Sequence, residues 1–141
     1  MKNVVRSMAV LCLFLAFGCK KDKNDSLKDQ IVGRWKIEST KSLIYANGEL
    51  VQEESDDNFD DNDYIEFKSD GTISSSDDSE NGSRFTVDEK ARTITITESS
   101  NQSIPFTIVQ LDKSVFHISA ENTQTQEGQT LRYVAELRFK K

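Results

Sequence analysis

The sequence predicts an all-β domain, an antiparallel up-and-down meander of eight to ten strands closing into a small barrel. From Ile31 onward apolar residues recur at every second position, the period of a strand with one buried face and not of a helix. Turn-forming pairs and short polar links separate these runs. Such links cannot carry the crossover connections that parallel strands need, so successive strands must run up and down. Closure into a barrel then removes the exposed edges of the sheet.

The first 18 residues stand apart from that pattern. Lys2 and Arg6 precede an apolar run, Met8 to Phe17, which ends at Gly18 and Cys19. This is the build of a secretion signal, and the run is too short for a membrane-spanning helix, which needs about 20 residues. Leu15-Ala16-Phe17-Gly18-Cys19 resembles the lipobox of bacterial lipoproteins, which implies cleavage before Cys19 and lipidation of its sulfur. Cys12 falls in the discarded segment, so the mature chain forms no internal disulfide although it leaves the cytoplasm. Cleavage removes two of the 18 basic residues and none of the 24 acidic ones, moving the formal charge from −6 to −8. A body this acidic excludes nucleic acid as a partner, because phosphate binding needs a basic face.

Residues 19–27 then form the lipidated cysteine and a flexible charged tether, and residues 28–141 the barrel domain. Asp25-Ser26-Leu27 resembles the three-residue O-glycosylation site of Bacteroidota. Ser26 to Ile31 reads as one helical turn capped by Ser26. In the first strand Gly33, Trp35 and Ile37 share a face opposite Arg34, Lys36 and Glu38. Ile65 and Phe67, Phe85 and Val87, Ile94 and Ile96 follow the same alternation. So do Ile104, Phe106 and Ile108, then Phe116 and Ile118, and last Leu131, Tyr133, Ala135, Leu137 and Phe139. Asn47-Gly48 and Asp70-Gly71 are the pairs that type I′ hairpins favour. Pro105 lies near a strand start, where a missing N–H is tolerated. The inward aromatics, Tyr133 among them, leave little room inside the barrel, so a shallow pocket at the mouth is expected and not a deep cavity.

Three stretches together are similar to the small lipocalin-like domains of Bacteroidota lipoproteins. They are Ile31-Val32-Gly33-Arg34-Trp35, Tyr64 to Thr72, and Tyr133 to Lys141. The resemblance implies a lipocalin-like barrel and an outer-membrane, lipid-anchored protein facing the periplasm or the cell surface. It also implies that Trp35 plugs the closed end of the barrel beneath an arginine of the last strand, here Arg138, and that a small apolar or amphipathic molecule binds at the mouth. The membrane, through the anchor, is then one partner; the alternative is an accessory lipoprotein whose partner is another envelope protein.

No catalytic constellation is visible. His117 is the sole histidine and falls on the polar face of its strand, so neither a nucleophilic triad nor a zinc site assembles. Glu53 to Asp63 holds seven carboxylates in eleven residues, but a calcium-loop register from Asp56 puts Asp61 at the glycine position and Phe67 at the closing glutamate. That segment reads as a solvated loop between strands, with weak calcium binding as the alternative, and the same holds for Ser76 to Gly82. The chain is therefore expected to be non-catalytic, with no cofactor and no metal.

Overall fold

The computed structural model describes residues 25–141. Helix α1 (Leu27–Ile31) is a single turn whose Ser26 hydroxyl accepts from the Asp29 N–H at 3.1 Å. Nine strands follow: β1 (Gly33–Ala46), β2 (Glu49–Asp56), β3 (Tyr64–Phe67), β4 (Ile73–Ser75), β5 (Arg84–Asp88), β6 (Thr93–Thr97), β7 (Ser103–Leu111), β8 (Val115–Gln126) and β9 (Gln129–Lys140). All pairings are antiparallel, and the sheet runs β4-β3-β1-β9-β8-β7-β6-β5, with β2 on β1 off that path.

The register explains this order. On one edge β1 pairs with β9 from Lys36 to Ala46; on the other it takes β3 opposite Gly33 to Lys36 and β2 opposite Thr40 to Ala46. β2 and β3 are thus two halves of one strand position, interrupted by residues 57–63. With the two halves counted as one, every strand but β4 pairs with its successor, and β9 returns to β1. The barrel is nearly closed, with one unsealed seam between β4 and β5. That seam is crossed by the Thr72–Arg84 bridge and by backbone hydrogen bonds of 2.9 Å (Ile73 N–H to Ser83 carbonyl) and 2.8 Å (Phe85 N–H to Gly71 carbonyl).

The turns divide by chemistry. Asn47 and Gly48 both have positive φ, as a type I′ turn requires. Asp70 does not. Gly71 alone is left-handed, its N–H bonding the Lys68 carbonyl while Lys68 N–H bonds that of Thr72, so this hairpin is a type I turn closed by a glycine bulge. Glu127-Gly128, with both φ positive, joins β8 to β9.

Side chains from all round the barrel meet in one core, in which Ile31, Trp35, Phe67, Ile94, Phe116, Ile118 and Phe139 are fully covered. Leu27 is also buried there. Leu27, placed in the tether by the sequence reading, is thus the first residue of α1 and packs on the core. Glu38 is an extra residue in β1, forming a bulge opposite the Phe139–Arg138 step. Past that bulge β1, β2, β8 and β9 outrun the barrel as a four-stranded sheet in the order β2-β1-β9-β8. Its inner face continues through Thr40, Ser42, Ile44 and Ala46, opposite Leu137, Ala135, Tyr133 and Leu131. Tyr133 lies here and is half-buried; it is not in the barrel interior, because β9 has already left the barrel at that height.

Candidate functional site

The two ends of the barrel differ. At the end where residue 25 enters, α1 lies across the opening. Trp35 is fully buried beneath it, and its Nε1–H donates to the Ile31 carbonyl at 2.7 Å. Phe116 tilts against the indole with centroids 5.5 Å apart, and Phe139 stacks on Phe116 at 5.6 Å. The cation over the indole is Lys141, its Nζ 4.4 Å from the ring centroid.

Arg138 is not there. It points outward, opposite in face to Leu137 and Phe139, and its Nε–H donates to Glu38 Oε2 at 2.8 Å. The β1 bulge brings Glu38 beside it, so a carboxylate on its own face takes the guanidinium before it can round the rim. Lys141 fills the position instead, tied down by its N–H to the Ser114 carbonyl at 3.1 Å.

The opposite end is open. A cavity of about 130 Å³ enters the barrel there, walled by Ile65, Ile73, Ile96, Ile104, Phe106 and Leu137, with Glu80 and Glu98 at its rim. Both carboxylates are half-buried, and neither pairs with a cation among the described residues. Two wider grooves flank the inner face of the extended sheet. One, of about 600 Å³, lies between Thr40, Ser42, Glu54, Asp56, Phe106 and Leu137. The other, of about 430 Å³, opens where β7 and β8 part, between Pro105, Ala120, Asn122 and Tyr133. β7 joins β8 only from Thr107 onward, which suits Pro105, a residue with no N–H for a ladder.

Charge follows the same axis. The open-end connections, residues 47–48, 57–63, 76–83, 98–102 and 127–128, hold no lysine or arginine. Each closed-end link holds at least one: Lys68, then Lys90 and Arg92, then Lys113. Several acids are spoken for by local structure. Asp112 Oδ1 accepts from the Ser114 and Val115 N–H groups, and Asp112 Oδ2 accepts from Gln110, which holds its carboxyl down at about 2. Asp77 is likewise held at about 2, chiefly by the Ser79 and Ser75 hydroxyls and the Ser79 N–H. These carboxylates fasten turns and are not poised for proton transfer.

The acidic stretch from Glu53 to Asp63 is only partly a loop. Glu53 to Asp56 belongs to β2, because the Asn47-Gly48 turn folds these residues back onto Thr40 to Leu43. In the remainder, Asp60 and Asp63 accept backbone N–H groups of their own loop, and Asp61 pairs with Lys36 at 2.8 Å, which lowers its pKa. Among the described residues no three metal-ligating side chains converge. His117 is more covered than its polar strand face suggested, lying between Gln110 and Arg138 in register, with Nε2 3.7 Å from Glu136 Oε2. Cys19 lies outside the described residues. No helix of the described residues is long and apolar enough to cross a membrane.

Sequence reading missed Lys141, the pair Glu80 and Glu98, and the continuation of β2 through Glu53 to Asp56. Only the last had a signal, the obligation of Asn47-Gly48 to be followed by a strand. Comparison with family models, with curated proteins and with solved structures finds no match for this chain.

Proposed function

We propose that the protein is a non-catalytic, lipocalin-like binding lipoprotein of the outer membrane, anchored through Cys19, which takes the apolar end of a small amphipathic molecule at the barrel mouth. The observation that carries this reading is the apolar cavity of about 130 Å³ at the end away from α1, whose rim holds two half-buried carboxylates with no ion pair among the described residues. An apolar cavity of about 150 Å³ holds a ring the size of benzene, whereas drug-sized ligands occupy about 300 to 1,000 Å³. The ligand's buried part is therefore about six heavy atoms, and Glu80 and Glu98 favour a cationic head.

A second reading, an accessory lipoprotein that meets another envelope protein, is favoured by the fully exposed β2. The first is tested with hexylamine and hexanoate added separately to methyl-labelled protein carrying Cys19→Ser. Hexylamine should shift the methyl signals of Ile65, Ile96, Ile104 and Leu137, and hexanoate should leave them nearly in place. No shift there, or equal shifts with both, would overturn the assignment of the mouth.

A further inference from the structure

We infer that the outer edge of β2 is a docking edge for an extended, basic segment of another protein, which would add to the sheet as a further strand. This goes beyond the reading of the barrel mouth and does not depend on it. β2 is eight residues long, contains no proline, and is exposed along its whole length. It pairs with β1 alone among the described residues, so the backbone groups of its far edge face solvent. Two of the largest exposed aliphatic side chains sit on it, Leu50 at 49 % and Val51 at 59 % exposure. Val51 is the extra residue at the register shift opposite Ile44 and Tyr45, which leaves it without a cross-strand partner on β1.

Charge selects the occupant. Glu49, Glu53, Glu54 and Asp56 stand on this strand, with no cation. Glu53 is neutralised by Lys41 at 2.7 Å; the other three have no ion pair among the described residues. A second copy of β2 would set these carboxylates against their equals, and like charges opposite one another across strands are destabilising. A strand alternating basic and aliphatic residues meets the carboxylates on one register and Leu50 and Val51 on the other. The remaining free edge of the extended sheet, along residues 121–126 of β8, differs. Its one carboxylate, Glu121, is paired with Arg132 at 3.1 Å, and it carries no aliphatic side chain.

The test uses two labelled peptides of equal length and charge, one alternating lysine and valine, the other lysine and proline. Proline supplies no N–H, so the second peptide keeps the charge and loses the ladder. The lysine–valine peptide should bind at least about tenfold more tightly, since a row of backbone hydrogen bonds is at stake. Hydrogen exchange should slow at residues 49–56 when it binds. The double variant Glu49→Lys with Glu54→Lys, both exposed, should abolish that binding while the hexylamine shifts at the mouth persist. Equal affinity for the two peptides would reduce the edge to a patch of charge. Protection at residues 76–83 or 98–102 instead, or a dimer whose β2 is already protected without peptide, would overturn the inference.

Discussion

Replacing Trp35 by alanine removes the largest side chain that is wholly out of water in this protein. The cost has two parts. Truncating a buried tryptophan leaves a cavity worth about 3 to 5 kcal/mol, and here Phe116 and Ile31 cannot collapse into it without lifting α1 from the barrel end. The indole N–H also satisfies the Ile31 carbonyl in a buried position at 2.7 Å, and a buried acceptor left unpaired costs about 1 to 3 kcal/mol. The sum, about 4 to 8 kcal/mol, lies between about a quarter and the whole of a typical domain stability of about 5 to 15 kcal/mol. Urea unfolding followed by far-ultraviolet circular dichroism should show the midpoint falling accordingly with little change in slope. The melting temperature should drop by at least about 15 °C. Trp35→Phe separates the parts, keeping most of the ring and losing the hydrogen bond, so it should cost about 1 to 3 kcal/mol. A Trp35→Ala protein within about 1 kcal/mol of the parent would refute the plug, as would red-shifted, readily quenched emission from this sole tryptophan.

The outward turn of Arg138 predicts that Arg138→Ala couples to Glu38→Ala by about 0.2 to 1 kcal/mol in a double-mutant cycle and not to Trp35→Phe; coupling to Trp35 alone would contradict the geometry. Asp112 titrates near 2 in the fold against 3.8 when unperturbed, so its stabilisation is complete above 3.8 and is lost as pH falls through 2. Asp112→Asn should flatten the stability profile in that window, and a carboxyl carbon titrating at 3.8 or above by NMR would contradict this. Cys19→Ser should move the protein from the detergent phase to the aqueous phase, and unchanged partition would refute lipidation.

Much of the barrel was legible because its strands bury one face against one core. Ile94 and Ile96, or Phe116 and Ile118, show period two plainly, since every second side chain must leave water. The extended sheet lacks that constraint. The second half of β2, Glu53 to Asp56, reads as part of an acidic loop because both of its faces are wet, so no alternation is imposed on it. The division of one strand position into β2 and β3 was invisible for the same reason, the interruption at residues 57–63 being as polar as the strand before it. The burial of Trp35 could be read from the strand that carries it. Its cationic neighbour could not, because a single bulge at Glu38 gave Arg138 another partner and left the ring to Lys141. Glu80 and Glu98 lie 18 positions apart on different connections, and only the closure of the barrel brings both to the same cavity.

The central claim, a filled barrel with one small apolar cavity at its open end, is tested most directly by the affinity of linear alkylamines of increasing chain length. Each methylene that enters the cavity should add about 0.8 kcal/mol, and the gain should stop at about six heavy atoms, where about 130 Å³ is full. Affinity that keeps rising through much longer chains would mean a deep, unfilled barrel, and affinity independent of chain length would mean that only the acidic surface binds.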